Sequence, residues 1–279
     1  MPIRKILVPL TGTEAGEAAL ACAWEAAEIF AAQIVALHVR VDSRDVAPLA
    51  GEGLSGAMIE DMMAATDSEA NRRAAAVRAL FDRSVQAHAI ASKRASFRTV
   101  VGREEEVVAQ LARLADLTVV PHPEAGEDVS SSDALHAVLF DSGRPVLIAP
   151  MTAPTSLGTR ICVAWNGTAE SAAAAHAVLP WIQRARAVCI LAAEEYQRQG
   201  PQAPALVEYF GLHGVTAELM TFKPIERDVG AGLLAAADKF GADLLSMGAY
   251  SHSRLRQLIL GGVTRHVLEN AKLPVMMTR

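Results

Sequence analysis

The chain has 279 residues, of which 51% are hydrophobic, 20% charged and only 5% aromatic. This length suits about two domains of ordinary size, and this composition predicts cores built from small aliphatic side chains rather than from large rings. The net charge of −5 argues against a non-specific nucleic-acid binder, because such proteins normally present a basic face.

The cysteines and the apolar runs concern compartment and membrane association. Cys22, Cys162 and Cys189 are odd in number, lack metal-like spacing and each lie in an apolar run, which indicates buried thiols in a reducing compartment. The first apolar run breaks at Pro9, and no stretch reaches the 18 apolar residues of a membrane span. We therefore expect a cytoplasmic protein without a membrane anchor.

Strand-like and helix-like patterns alternate through the first half. Short apolar and β-branched runs predict strands at 5–10, 34–39, 97–101, 117–120 and 145–149. A 3.6-residue period predicts helices at 14–32, capped by Thr13, at 57–84, at 104–115, and after a cap at Ser132 or Asp133. In the long helix the apolar positions expected to face the core are Ile59, Met62 or Met63, Ala70, Ala74, Val77 and Phe81.

The second half repeats the first in the same order. Residues 5–13 align with 160–168, and 34–39 with 189–194, at an offset of 155 residues, which falls to 127 where 115–117 meets 242–244. A fixed order with a drifting offset indicates a duplicated unit, the first copy being longer by 28 residues between its second and fourth strands. This predicts domains at 1–151 and 160–279, with 152–159 as the linker.

Alternating strands and helices favour βαβ units with right-handed crossovers. The predicted fold class is α/β, with two tandem doubly wound domains that each contain a five-stranded, mostly parallel sheet. In such sheets ligands bind beyond the carboxyl ends of the strands, where the loops after the first and fourth strands meet. This rule brings Asn166 close to Gly248.

A glycine-rich stretch near the end of the chain has the pattern of a phosphate-binding loop. The apolar run Leu244 to Met247 predicts a buried strand that ends at Gly248, and Gly261 and Gly262 open a helix at 263–270. The free N–H groups and positive dipole end of such a helix favour an anion. The alternative is that these glycines only permit a tight turn between strand and helix.

The spacing Gly248-x2-Ser251-x9-Gly261-Gly262-Val263-Thr264 resembles the Gly-x2-Gly-x9-Gly-Ser/Thr signature of the universal stress protein family. Ser251 replaces the usual second glycine, and Gly262 replaces the hydroxyl residue, which Thr264 could supply instead. The resemblance covers nearly the whole chain as two tandem copies. It implies a Rossmann-like fold of the adenine nucleotide alpha hydrolase type, with strand order 3-2-1-4-5 and pairing through the last strands.

The resemblance also implies an adenine nucleotide, ATP or AMP, bound once per chain, with Mg²⁺ as an optional companion of ATP. The residues expected to bind it lie after the first and fourth strands of the second copy: Ala164, Trp165, Asn166, Met247, Gly248, Ser251, His252, Gly261, Gly262, Val263 and Thr264. Asn166 stands where the family usually carries an acidic residue, and it could bind an adenine edge or a ribose hydroxyl. The alternative is that Asn166-Gly167 is a turn without a ligand.

The first copy lacks these features. Its fourth strand is followed by Pro-His-Pro-Glu-Ala-Gly-Glu-Asp at 121–128, in which two prolines remove backbone donors and three carboxylates would repel phosphate. We expect this copy to bind no nucleotide and to serve as a structural partner in an intramolecular pseudo-dimer. A homodimer of the whole chain stays open.

Three functions are compatible with these patterns, and the sequence favours one of them. The leading hypothesis is a nucleotide-binding stress or signalling protein with no catalytic residues and at most slow ATP hydrolysis, since the sequence contains no HExxH, CxxC, GxSxG or Walker motif. The alternative is a protein-interaction scaffold that binds no nucleotide. An adenylating or amide-forming enzyme is disfavoured, because neither first strand is followed by an SGGxDS-like loop.

Overall fold

A computed structural model of the chain describes residues 2–11, 14–40, 56–88, 91–122, 132–194, 200–250 and 262–279. The elements of the N-terminal half are β1 (Lys5–Pro9), α1 (Glu14–Phe30), β2 (Gln33–Arg40), α2 (Gly56–Ala87), β3 (Ala95–Val101), α3 (Glu104–Ala112), β4 (Leu117–Val120), α4 (Asp133–Asp141) and β5 (Val146–Ile148). A short 3-10 turn, Ala91–Arg94, precedes β3.

The C-terminal half has the same order of elements. They are β6 (Arg160–Trp165), α5 (Ala169–Ile182), β7 (Ala187–Ala193), α6 (Ala203–Leu212), β8 (Glu218–Phe222), α7 (Val229–Phe240), β9 (Leu244–Gly248), α8 (Val263–Asn270) and β10 (Val275–Thr278). The sequence therefore predicted the type and order of the first-half elements correctly, and the differences lie at their ends. For example, α1 ends at Phe30 because Ala31 has a φ of +53° and closes the helix.

All ten strands form one sheet, in the order β3-β2-β1-β4-β5-β10-β9-β6-β7-β8. Each half has the expected order 3-2-1-4-5, and every pairing inside a half is parallel. The halves meet where β5 and β10 pair antiparallel, with Met276 opposite Leu147. The α/β fold class is thus confirmed, with the difference that the two five-stranded sheets are continuous.

Helices cover both faces of this sheet. One core layer, which contains Trp24, Trp181 and Phe210, lies under α1, α5, α6 and the end of α2. The other layer lies under α3, α4, α7 and α8. Both layers contain residues of both halves, so the core does not stop at the β5 and β10 pairing. The three cysteines are buried reduced thiols, as the sequence predicted, and burial raises the pKa of the Cys22 thiol to about 12.

The long helix α2 packs on the core only near its end. Val77 and Phe81 are buried, as the apolar period predicted, but no residue at 57–76 is fully buried and Met62 is exposed. The indole Nε1 of Trp24 donates to Oγ of Ser84 at 2.6 Å, which fixes the last turns of α2 against α1. The sequence left Met62 and Met63 as alternatives for one core-facing position, and of the two Met63 is the half-buried one.

Two further sequence predictions concern caps and membranes. Ser132 caps α4, since its Oγ accepts from the backbone N–H of Leu135 at 3.4 Å. Thr13, the proposed cap of α1, lies outside the described residues. Among the helices of the described ranges, none combines the length and the apolar character that a membrane crossing requires.

Candidate functional site at the carboxyl edge of the C-terminal sheet

The loop after β6 forms a turn that the Asn166-Gly167 dipeptide determines. The side-chain Oδ1 of Asn166 accepts from the backbone N–H of Thr168 at 3.2 Å and from its Oγ1 hydroxyl at 2.9 Å. Gly167 has a φ of +80°, which glycine adopts without strain. The Asn166 oxygen therefore closes this turn, and the remaining polar group of the side chain, its amide nitrogen, is a donor.

Thr168 carries the same loop into α5. Its Oγ1 accepts from the backbone N–H of Ser171 at 3.3 Å and so caps the helix, while Ser171 Oγ donates to the Thr168 carbonyl at 2.8 Å. At the end of β6, just before the turn, Nε1 of Trp165 donates to the Pro201 carbonyl at 2.9 Å. Trp165 is also buried, so it helps to hold the loop in place.

The end of β9 meets the start of α5. A Cβ at Gly248 would lie 2.5 Å from the Glu170 carbonyl carbon and 2.6 Å from the Ser171 nitrogen, so only glycine fits there. β6 and β9 are neighbours in the sheet, with Val163 opposite Ser246. The loops that follow β6 and β9 therefore come together, as the rule for parallel sheets predicts.

The first turn of α8 completes this edge. Gly262 is its N-cap in an extended conformation and has no side chain that could cap the free N–H groups. Thr264 is buried, and its Oγ1 accepts from the backbone N–H of Tyr250 at 3.3 Å. This hydrogen bond joins the chain that leaves β9 to the start of α8.

Two basic side chains of α8 contact carboxylates. Arg265 Nε lies 2.7 Å from Glu269 Oε1, and His266 Nδ1 lies 2.6 Å from Asp228 Oδ2. Asp228 also caps α7, because its Oδ1 accepts from the backbone N–H groups of Gly230 and Ala231. The sequence analysis missed this tie between α7 and α8: an Asp directly before an apolar helix is a recognisable N-cap signal, but it does not reveal a partner in another helix.

The predicted site residues fall into two groups. Those at this edge of the sheet are Ala164, Trp165, Asn166, Met247, Gly248, Gly262, Val263 and Thr264. Ser251, His252 and Gly261 lie outside the described residues, as do Arg254 and Arg256 of the same loop. Within the described ranges, no three His, Cys, Asp or Glu side chains converge in a way that could hold a metal ion.

The corresponding edge of the N-terminal half has a different character. The buried His38 donates from Nδ1 to the Leu10 carbonyl at 3.2 Å, and burial lowers the pKa of its ring. Burial raises the pKa of the Glu104 carboxyl, and the charge of Asp133 at the start of α4 raises it further. A buried neutral ring and two carboxyl groups thus lie at this edge of the N-terminal half.

Helix α2 lies across that edge of the N-terminal half. Arg40, the last residue of β2, has its Nη2 3.4 Å from Oδ1 of Asp67 in the middle of α2. The charge of Arg73, two turns further along, acts on both His38 and Glu104. The long insertion in the first copy thus covers part of the position at which a ligand would bind in such a sheet.

Comparison with known proteins gives one family match. The sequence profile described as the universal stress protein family matches residues 159–279. No curated protein matches the chain by sequence.

Solved structures resemble the chain over nearly its whole length. A universal stress protein from Archaeoglobus fulgidus DSM 4304 is 16% identical, with 99% of this chain and 96% of that chain covered and a TM-score of 0.71. A functionally unknown protein from Pseudomonas aeruginosa PAO1 is 15% identical, with coverages of 99% and 92% and a TM-score of 0.58. At these identities the likeness shows the fold alone.

A shorter structure, a universal stress protein in complex with cAMP, is 20% identical over 43% of this chain and 97% of that chain. Its TM-score of 0.35 is too low to bear on ligand binding here.

Proposed function

We propose that this chain, whose residues 159–279 match the universal stress protein family profile, binds one adenine nucleotide, ATP or AMP, in this half without efficient catalysis. The observation that carries the proposal is that the end of β9 and the starts of α5 and α8 lie close together. Gly248 lies against the first turn of α5, and the chain that leaves it is bonded through Tyr250 to the first turn of α8. A loop and a helix start are thereby brought to one edge of the sheet.

The start of α8 supports a phosphate. Its first N–H groups have no partner within the helix, and the dipole adds partial positive charge at this end. Gly262, the N-cap, has no side chain that could cap these groups. Since Arg265 and His266 contact carboxylates, the backbone N–H groups rather than these two side chains would hold the phosphate.

Asn166 supports a nucleoside. Its oxygen closes the turn to Thr168, so it would present a donor to an acceptor atom of the base or of the ribose. An amide in place of a carboxylate also removes a negative charge from the neighbourhood of the phosphates.

We propose that the N-terminal half, residues 1–151, binds no nucleotide and acts as the structural partner of residues 160–279 in a pseudo-dimer. Asp133 sits at the first position of α4, where a phosphate would otherwise lie, and Glu104 is close enough to feel its charge. Two carboxyl groups there disfavour an anion. The antiparallel pairing of β5 and β10 provides the contact between the two halves.

Calorimetric titration of ATP with Mg²⁺ into the wild type and the variant Gly261→Val tests the nucleotide site. We expect one site per chain in the wild type and none in the variant, since a β-branched residue would block the approach of phosphate to backbone. Gly211→Val is the matched control, because a Cβ at Gly211 meets no atom within 4 Å. It should bind as the wild type does.

A second readout is thermal stability. At a hundredfold excess over Kd, ATP should add about 2.7 kcal/mol to the free energy of unfolding. Mass spectrometry of the denatured protein would show whether adenine nucleotide is carried through purification. No heat and no thermal shift at millimolar ATP would contradict nucleotide binding, and a protein-interaction scaffold would then be the better reading.

A further inference from the structure

One flank of α4 faces the C-terminal half rather than its own core. The residues of α4 that are buried against the sheet include Leu135 and Val138. His136 and Phe140 are half-buried and lie four residues apart, so they share a different face of the helix. This face is directed across the β5 and β10 pairing.

His136, Phe140 and Tyr250 form a cluster of three rings, which we call the aromatic clasp. The ring centroids of Phe140 and Tyr250 are 5.3 Å apart, and those of His136 and Tyr250 are 6.4 Å apart in an edge-on arrangement. The His136 and Phe140 rings are 5.9 Å apart. The guanidinium of Arg279 lies 4.5 Å from the centroid of the Phe140 ring, which adds a cation–π contact from the end of β10.

Tyr250 is the member that belongs to the C-terminal half, and its backbone is unusual. It follows Gly248 by two residues and has a φ of +55°, in the left-handed region that a bulky residue rarely adopts. Its N–H donates to Thr264 Oγ1 in the first turn of α8. Whatever fixes the Tyr250 ring therefore also fixes the chain that enters the glycine-rich loop and its tie to α8.

The contacts to α4 supply that restraint. A residue held at positive φ persists only when its surroundings determine its position, and the two rings of α4 meet the Tyr250 ring from the other half of the molecule. The sheet fixes their approach, because β5 follows α4 directly and pairs with β10, the neighbour of β9.

We propose that the N-terminal half completes the nucleotide site of the C-terminal half through this clasp, with His136 and Phe140 as positioning residues that act through Tyr250. The inference rests on the proposed nucleotide binding for its ligand, but the clasp itself can be tested without one. The first copy then has a role at the site although it binds no nucleotide itself.

The test compares Phe140→Ala with Phe97→Ala in the full chain. Phe97 is a matched control, because it is also half-buried, also pairs with another ring, Phe81 at 5.5 Å, and also carries an arginine, Arg78 at 5.3 Å. It lies in β3, at the outer edge of the sheet and four strands away from β5. A general loss of stability should therefore appear in both variants.

Hydrogen exchange followed by mass spectrometry gives the ligand-free readout. In Phe140→Ala the Tyr250 amide should exchange about tenfold faster than in the wild type, whereas in Phe97→Ala it should keep its wild-type rate after correction for global stability. Tyr250→Leu should behave like Phe140→Ala, and Tyr250→Phe, which keeps the ring, should restore the slow exchange.

ATP affinity gives the second readout. Phe140→Ala should weaken binding by about tenfold, with Phe97→Ala and Tyr250→Phe close to the wild type. Should Phe140→Ala fail to fold, His136→Ala removes the smaller contact and is read in the same way. Equal exchange or equal affinity in Phe140→Ala and Phe97→Ala would overturn the clasp. If the wild type binds no ATP, the proposed function fails separately, and the exchange data alone decide the clasp.

Discussion

Gly248 shows how a single missing side chain sets the geometry of the candidate site. The obstacle to any larger residue is backbone, the Glu170 carbonyl carbon and the Ser171 nitrogen, which cannot rotate away. Its φ is not in the left-handed region, so space rather than backbone conformation requires glycine here. The close approach of β9 to α5 is thus specified at one position.

Gly248→Ala should lower the free energy of unfolding by about 1–3 kcal/mol, because the methyl group forces β9 and α5 apart. Gly211→Ala adds the same methyl group inside α6, where it meets nothing within 4 Å. It should be neutral or stabilising by up to about 1 kcal/mol, since alanine is the better helix former. Urea denaturation of the two variants measures the difference, and equal stabilities would contradict the contact with α5.

His38 gives the N-terminal half a defined pH dependence. Burial lowers the pKa of its ring below the ordinary 6.5, and the charges of Arg73 and Arg40 lower it further, while the hydrogen bond to Leu10 acts in the opposite direction. As the pH falls through 6.5, the unfolded chain therefore binds a proton that the folded chain does not. Stability due to this group is fully present above pH 6.5 and declines below it.

His38→Asn should flatten that decline, because asparagine does not titrate yet can still donate to the Leu10 carbonyl. The measurement is the free energy of unfolding of both proteins from pH 7.5 down to pH 5. Glu104, whose pKa is raised, acts in the opposite sense in both proteins and cancels in the comparison. His176→Gln changes an exposed ring and serves as the control. A wild-type decline retained in His38→Asn would assign the effect to another group.

Equivalent aspartates anchor the first strand of each half. Asp116 accepts from the backbone N–H groups of Arg4 and Lys5 through Oδ2, at 2.8 and 3.0 Å. Asp243 accepts from those of Thr159 and Arg160 through its two oxygens, at 3.0 and 2.8 Å. One carboxylate thus fixes the starts of β1 and β4 relative to each other, and the other does the same for β6 and β9.

Asp243→Ala should lower the free energy of unfolding by about 1–3 kcal/mol, because two strand N–H groups lose their acceptor. Asp243→Asn keeps one acceptor oxygen and should lose less. The exposed Asp238 in α7 provides the control, and Asp238→Ala should change stability by no more than about 0.5 kcal/mol. Thermal and urea unfolding would show the ranking, and a loss in Asp238→Ala as large as in Asp243→Ala would contradict the anchor.

These elements also show which features the sequence predicts and which it does not. Short apolar runs and the repeat predicted the strands, because they depend on local pattern, and the family resemblance implied their order. The exposure of Met62 and the tie between Asp228 and His266 were not predictable in this way, since both depend on which elements meet in space. Amphipathic periodicity predicts that a helix such as α2 has an apolar face, but not how much of that face is covered.

For the candidate site too, the sequence predicted the local features but not the contacts between distant segments. The glycine at 248 and the turn at Asn166 could be placed at one edge of a parallel sheet from order alone. The aromatic clasp could not, because His136 and Tyr250 belong to different copies and no local spacing relates them. A duplicated sequence indicates two similar units, but it does not indicate which residues of one unit contact the other.

The two halves form one folded body through both sheet and core. Beyond the pairing of β5 with β10, the ring of Phe30 in α1 lies edge-on to Trp181 in α5 with centroids 4.8 Å apart. The guanidinium of Arg184 lies over the Phe30 ring, 5.0 Å from its centroid. Met276 and Leu147, opposite each other in the central strands, are both buried in the same layer. Separation of the two halves would expose this apolar surface on each of them.

Separate halves, residues 1–156 and 157–279, should therefore associate. The C-terminal half alone would expose the backbone edge of β10 together with Met276, and we expect it to pair with a second copy of itself or to aggregate. Adding the N-terminal half in equal amount should convert it into a one-to-one complex, because that half offers the matching edge of β5. Size-exclusion chromatography with light scattering gives the masses.

Leu212→Lys, on an exposed position of α6, should not affect the complex, whereas Met276→Lys should weaken it. A C-terminal half that stays monomeric at high concentration and ignores its partner would contradict the pseudo-dimer.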